Sequence, residues 1–127
     1  MTIQFNHTIV WCRDQKTSAQ FLADILGRPE PVRFMHFLVV ELDNGVSLDF
    51  MDVDDKAGGQ HYAFLMTEIE FDEVFARIQA RGLVYWADPA RTKPNEIYRL
   101  FGGRGVYFQD PDGNLLEAMT RPYARAP

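Results

Sequence analysis

Two histidines and one glutamate could do chemistry together, because each lies in an apolar segment typical of a β-strand. His7 lies within residues 3–12 and His61 within residues 61–67, both rich in β-branched and aromatic side chains. Glu117 lies in an apolar run where a lone carboxylate is costly to bury. Two imidazoles and a carboxylate form a typical ligand set for a divalent cation. We therefore predict that the three converge on a buried cation, although each alone also fits a structural role.

The elements that must position these residues are repeated. An amphipathic helix begins about seven residues after each histidine. The first helix has Asp14 as a plausible N-cap and stops at Gly27. The second has Thr67 and Glu70 in capping-box spacing and stops at Gly82. The chain is therefore predicted to contain two similar halves, each with a strand, a helix and about three further strands.

A late hairpin turn in each half adds an acidic residue at a matching place. Asp49 lies four residues after Gly45, and Glu117 lies four residues after Gly113. Both glycines stand in turn-forming sequences between extended segments. In related strands of a two-fold repeat, matching positions would face one central cavity. This match favours a shared metal site over separate structural roles for the histidines and Glu117.

Three segments lack the periodicity of a helix or a strand. Residues 87–96 contain two prolines and form a loop of a length that is often functional. Residues 52–60 contain paired glycines and are predicted to link the halves. Residues 121–127 are predicted to be a mobile tail.

Composition excludes several classes of protein. The 127 residues suit one domain, and 13 basic against 18 acidic residues give a net charge of −5. No two basic residues are adjacent, so neither nucleic acid nor an anionic membrane is an expected partner. Cys12 is the single cysteine and cannot form an internal disulfide. No leader-like or membrane-spanning segment is recognised, which predicts a cytoplasmic protein.

Three motifs resemble the vicinal oxygen chelate superfamily, also called the glyoxalase, bleomycin-resistance and extradiol-dioxygenase superfamily. They are Asn-His-Thr at 6–8, Gln-His-Tyr-Ala-Phe at 60–64 and, most specific, the segment 106–117 with its Asp-Pro-Asp-Gly turn. The resemblance implies an α+β fold of two βαβββ modules whose mixed sheet curls around a metal cleft. It predicts a single domain over residues 1–127, with modules at 1–53 and 60–121.

The resemblance also implies a site and an assembly. His7, His61 and Glu117 would be the metal ligands, and their presence argues against the bleomycin-binding branch, which lacks the metal. The substrate would be a small molecule with adjacent oxygens. Iron(II) or manganese(II) is expected first, with zinc(II) or nickel(II) open. A homodimer is expected, and each site could combine residues of two chains.

The reaction branch depends on residues beside the ligands. Tyr107 resembles the hydrogen-bonding tyrosine of extradiol dioxygenases, and with Glu117 it is the predicted catalytic pair. The accompanying acid-base histidine is missing, with His36 and Tyr98 as candidate substitutes. Glyoxalase and epimerase relatives have a fourth ligand on the last strand of the first module. This chain has Ser47 and Asp49 on one face there, which makes Asp49 the candidate for a fourth ligand or a base.

These comparisons leave more than one function open. An Fe(II) extradiol-type dioxygenase is the first expectation. A lyase, isomerase or thiol transferase on the same metal is the alternative, although the lysine and serines of fosfomycin-modifying transferases are missing from residues 97–104. A non-catalytic protein that binds or sequesters a small ligand is the third expectation.

Overall fold

The same succession of elements occurs twice in the computed structural model, which describes residues 2–124. The first set is β1 (His7–Cys12), α1 (Gln15–Leu26), β2 (Val32–Phe34), β3 (Phe37–Glu41) and β4 (Ser47–Asp52). The second set is β5 (His61–Leu65), α2 (Glu68–Ala80), β6 (Tyr85–Trp86), β7 (Gly105–Gln109) and β8 (Leu115–Met119). The fold is therefore α+β with two βαβββ modules, which confirms the predicted fold class.

Each module builds one mixed four-stranded sheet. The strand orders are β1-β4-β3-β2 and β5-β8-β7-β6. The first strand of each module pairs in parallel with the last, and the other pairings are antiparallel. The last strand, which carries the conspicuous carboxylate, is thus internal to its sheet and not at a solvent-facing edge.

Local signals at the helix ends behave as the sequence predicted. The Asp14 side chain accepts a hydrogen bond from the Lys16 backbone N–H at 3.1 Å, and α1 ends at Gly27 in the left-handed region with φ of 68°. The capping box of Thr67 and Glu70 opens α2. These caps satisfy backbone groups that would otherwise lack partners, so they fix where each helix begins and ends.

Alternation along the strands gives each sheet two different faces. In the first module, Val10, Leu48 and Phe50 are buried on the side against which α1 packs. In the second, Phe108 and Leu116 are buried with α2. The alternate positions of the strands lie on the face away from the helix. Every predicted site residue that belongs to a strand is on this face.

The described chain divides into two compact units, residues 2–58 with 111–113 and residues 59–110 with 114–124. The boundary after residue 58 falls within the predicted linker. β1 begins at His7, later than the predicted strand from residue 3, because residues 3–6 lie outside the sheet. No helix of residues 2–124 is both long and apolar enough for a membrane span.

Candidate metal centre

His61 is the first residue of β5, and its ring orientation is fixed by the backbone of β8. The Nδ1 atom lies 2.9 Å from the carbonyl oxygen of Leu115, its partner in the parallel register. A carbonyl oxygen only accepts, so Nδ1 carries the proton. The other ring nitrogen, Nε2, lies 3.2 Å from the Oε1 atom of Glu117, and in the neutral form of this tautomer it carries the lone pair.

Glu117 is the central residue of β8, and its side chain is 0% exposed. It stands opposite Ala63 of β5 and opposite Tyr107 of β7. A buried carboxylate requires hydrogen-bond donors or a cation. Three tyrosines cover it and supply such donors, which explains why a charged residue is found in an apolar strand.

Two of the tyrosines bind the carboxylate directly. The Tyr98 hydroxyl donates to Oε2 of Glu117 at 2.5 Å. The Tyr123 hydroxyl lies 2.6 Å from Oε1 and 2.8 Å from Oε2, between the two oxygens. Tyr98 is 8% exposed and reaches Glu117 from the irregular segment before β7. Both oxygens of the carboxylate are therefore held in place.

Tyr107 extends the network from the neighbouring strand. Its hydroxyl lies 2.9 Å from that of Tyr123. When the Tyr123 proton is directed to Glu117, the Tyr107 hydroxyl is the donor to the Tyr123 oxygen. The Tyr107 ring also lies 5.9 Å from the rings of His61 and Tyr98, measured between centroids. The register across the hairpin thus brings the predicted catalytic tyrosine to the same place as His61 and Glu117.

The environment keeps these hydroxyls protonated. Burial, then hydrogen bonding to Glu117, raises the pKa of Tyr98 far above its ordinary value. The same causes raise the pKa of Tyr123. The pKa of Tyr107 is also raised, first by burial, with the charge of Glu117 adding to it. Removing a proton beside a buried carboxylate would put two negative charges together, so the tyrosines act as donors.

His61 and Glu117 fit a bound cation. With the proton on Nδ1, the lone pair of Nε2 faces a carboxylate oxygen, and two acceptors repel unless a proton or a metal ion lies between them. Two ligands at neighbouring positions of one ion, each about 2.1 Å from it, lie roughly 3 Å apart. The spacing of 3.2 Å between Nε2 and Oε1 suits such a pair.

The first unit presents a similar pair with different surroundings. His7 opens β1 and is exposed, and its Nδ1 lies 2.7 Å from the Asn6 Oδ1, which leaves Nε2 available. Asp49 stands opposite Ile9, just as Glu117 stands opposite Ala63, and it accepts a hydrogen bond from Ser47 at 2.8 Å. The matching positions predicted from the turns are confirmed by the strand registers.

The structure brings together part of the predicted ligand set. His61 and Glu117 are in contact, while His7 and Asp49 belong to the other unit. Among residues 2–124, no three side chains of His, Cys, Asp or Glu are grouped so that they could hold a metal ion. Of the predicted ligands, His61 and Glu117 are therefore the pair that the described residues bring into contact.

A pocket of about 520 Å³ in the second unit is lined by the three tyrosines of the Glu117 network, while His61 and Glu117 are not part of its lining. This volume is in the usual range for small-molecule sites. Its aromatic wall contains Tyr98, Phe101, Tyr107 and Tyr123. The remaining lining comes from the predicted functional loop and the segment after it: Ala87, Asp88, Pro89, Lys93, Glu96, Ile97, Arg99 and Leu100.

The two candidate substitutes for the missing histidine are in different units. Tyr98 binds Glu117 directly, whereas His36 lines a separate pocket of about 530 Å³ in the first unit. That second pocket is formed by Gln15, Arg33, Met35, His36, Met51 and Asp52. Tyr98 is accordingly the substitute that accompanies His61 and Glu117.

Sequence reasoning missed Tyr123, which lies in the predicted mobile tail. That expectation is wrong for Tyr123, because its hydroxyl binds Glu117 and its ring lies 5.3 Å from that of Phe101. Residues 125–127 of the predicted tail lie outside the described residues. A lone tyrosine six positions after a buried glutamate, beyond the end of the strand, was the only available signal.

Comparison with known proteins agrees with this architecture. The profile of the Glyoxalase/Bleomycin resistance protein/Dioxygenase superfamily matches residues 4–118. The structure of Oxidase ChaP-H1 is 54% identical in sequence, with a TM-score of 0.95 over 98% of this chain and 100% of that one. Oxidase ChaP-H2 is 53% identical, with a TM-score of 0.94 over 98% of each chain.

A more distant structure shows the same fold. The fosfomycin resistance protein FosX from Listeria monocytogenes is 24% identical, with a TM-score of 0.71 over 99% of this chain and 97% of that one. The profile match spans nearly the whole chain, and the two oxidases are similar over their full length. The chain therefore belongs to the Glyoxalase/Bleomycin resistance protein/Dioxygenase superfamily.

Proposed function

We propose that this protein is a metal-dependent oxidase of the dioxygenase type that acts on a small molecule with two adjacent oxygens. The observation that carries the proposal is the distance of 3.2 Å between Nε2 of His61 and Oε1 of Glu117. A cation bound to both atoms would remove the repulsion between their lone pairs. Over half of the residues are shared with two proteins named as oxidases, which supports this branch above the lyase, isomerase and transferase branches.

His61, Glu117 and His7 would hold the metal, with Asp49 as a fourth ligand or a base. Iron(II) suits two imidazoles and one carboxylate, and manganese(II) is the next expectation. Such an ion supplies coordination positions for substrate oxygens and dioxygen and stabilises negative charge on them. The histidines would bind through Nε2, because Nδ1 of each already has a partner.

Tyr107 would orient the substrate. Its hydroxyl lies on the wall of the pocket of about 520 Å³, and its raised pKa keeps it protonated. A protonated hydroxyl there can donate a hydrogen bond to a substrate oxygen as negative charge develops. The Tyr123 oxygen, 2.9 Å away, accepts the Tyr107 hydrogen bond when no substrate oxygen does. Tyr107 is thus the proposed catalytic tyrosine, with Glu117 as ligand.

A second copy of the chain would complete the assembly. His7 is exposed at the start of β1, and large apolar side chains of the same unit are exposed as well. These are Ile3, Phe5, Val32 and Phe34. Burying such side chains against a second copy would be favourable, so a homodimer whose metal sites combine His7 of one chain with His61 and Glu117 of the other fits these features.

Oxygen consumption tests the function. The protein is depleted of metal, reconstituted with iron(II) without air, and mixed with a panel of catechols and other compounds with adjacent oxygens in an oxygen electrode. We expect consumption that depends on iron and substrate, that Glu117→Gln abolishes, and that His36→Asn retains, since His36 lines a separate pocket and is not one of the proposed ligands. Turnover of a hemithioacetal or an epoxide without oxygen uptake would assign the lyase or transferase branch instead. Binding without any turnover would indicate a sequestering protein.

A further inference from the structure

We propose that Tyr98 is a positioning residue that occupies Oε2 of Glu117 and so reserves Oε1 alone for the metal. Glu117 then ligates through one oxygen. The inference rests on the proposed function, because it requires a cation beside His61.

The hydrogen bonds distinguish the two carboxylate oxygens. Tyr98 donates to Oε2 at 2.5 Å, while Oε1 faces the Nε2 atom of His61 at 3.2 Å. The Tyr123 hydroxyl is within 2.8 Å of both oxygens and has one proton to give. When a cation binds Oε1, the Tyr123 hydroxyl can rotate its proton toward Oε2 while the Tyr123 oxygen stays in place. Tyr98 therefore sets which oxygen is free.

Tyr98 is held firmly in this place. Its backbone N–H donates to the Gly105 carbonyl at 2.8 Å, and its carbonyl accepts from the Gly105 N–H at 3.0 Å. The ring lies directly against the Cα atom of Gly105, where a Cβ atom would overlap the ring and the hydroxyl. Position 105 must be glycine for Tyr98 to reach Glu117, so the contact is built into the start of β7.

The number of open coordination positions depends on this contact. With Asp49 as the base and not a fourth ligand, an octahedral ion held by two histidines and a carboxylate bound through one oxygen keeps three positions open. A carboxylate bound through both oxygens would leave two. Three positions admit two adjacent substrate oxygens together with dioxygen, which the proposed reaction needs.

Water bound to manganese(II) provides the test. The full-length protein is loaded with manganese(II), and water proton relaxation reports how many waters the ion holds. Tyr98→Phe frees Oε2, so the inner-sphere relaxivity should fall by about one third, as three waters become two. Gly105→Ala displaces Tyr98 but keeps its hydroxyl group, and it should also lower the inner-sphere relaxivity. The control Tyr85→Phe, in a ring that packs edge-on against Phe75 at 5.1 Å, should match the wild type.

The outcomes separate this inference from the proposed function. If the wild type binds manganese and either folded variant retains the full relaxivity at saturation, Tyr98 does not select the ligand oxygen and the inference alone fails. If the wild type takes up no manganese, the proposed function fails, and the inference fails with it. Should one variant not fold, the other decides.

Discussion

The Nε2 atom of His61 lies 3.2 Å from the Oε1 atom of Glu117, and the register of β5 and β8 produces this contact. Glu117 is paired with Ala63, two residues beyond His61, so both side chains emerge on the same face of the sheet. The Leu115 carbonyl then turns the ring so that Nε2 faces the carboxylate. Backbone pairing thus places a nitrogen and an oxygen of two proposed ligands side by side.

Removing the Tyr98 hydroxyl should destabilise the metal-free protein. Tyr98→Phe deletes a hydrogen bond to a buried charged group, and such bonds contribute about 1.5–3 kcal/mol to the free energy of unfolding. Urea denaturation with a chelator present measures the loss. Tyr85→Phe should change the free energy of unfolding by less than about 0.5 kcal/mol. Equal values for the two variants would show that the contact with Glu117 does not contribute.

A methyl group at position 105 should be costly only while Tyr98 is present. Gly105→Ala introduces a clash with the Tyr98 ring, and overpacking of this kind costs about 1–3 kcal/mol. In a Tyr98→Ala background the clash is absent, so the same substitution should cost much less. A double-mutant cycle in urea measures the difference. If the cost is the same in both backgrounds, the two residues are not coupled.

The parts of the fold that sequence predicts are those with local causes. The caps at Asp14 and Thr67 and the turns around Gly45 and Gly113 depend on neighbours within a few residues, so their patterns can be recognised directly. The repetition of these local signals was enough to predict two βαβββ modules. Glu117 was recognised because an acidic residue is unusual in an apolar strand.

The donors to Glu117 could not be predicted in the same way. Tyr98 is 19 residues from Glu117, and its position depends on a pairing with Gly105 in an irregular segment. Tyr123 follows the last strand, where no periodicity constrains the chain. A hydrogen bond formed by loop geometry leaves no repeating pattern in the sequence. This is why Glu117 was recognised from its strand, while its contacts with Tyr98 and Tyr123 were not predicted.

The loop beside the pocket should loosen in acid. The Thr92 hydroxyl, together with the backbone N–H groups of Thr92 and Lys93, holds the pKa of Asp88 below its ordinary value. The carboxylate therefore stabilises the loop above about pH 4, and this contribution is lost as the pH falls through the lowered pKa. Amide exchange at Thr92 and Lys93 should quicken there. In Asp88→Asn this change of exchange rate with pH should vanish. If the change persists, a group other than Asp88 causes it.

Shared sites should be revealed by mixing inactive variants. His7→Ala and His61→Ala would each remove a ligand, but a mixed dimer would contain one intact site if the ligands come from two chains. We expect about a quarter of wild-type activity per chain after random exchange of subunits. Sedimentation equilibrium should give twice the 14.6 kDa chain mass. A dimer without complementation would reject the shared site, and a monomer with full metal content would reject the dimer.

Metal binding decides whether His61 and Glu117 hold a cation. Protein purified without chelator and protein titrated with iron(II) or manganese(II) under anaerobic conditions are compared with His61→Ala and Glu117→Gln, and with His36→Asn as the control from the other unit. We expect about one ion per chain for the wild type and the control, and at least a tenfold weaker affinity for both ligand variants. Uptake by the wild type that is no tighter than uptake by the ligand variants would contradict this expectation.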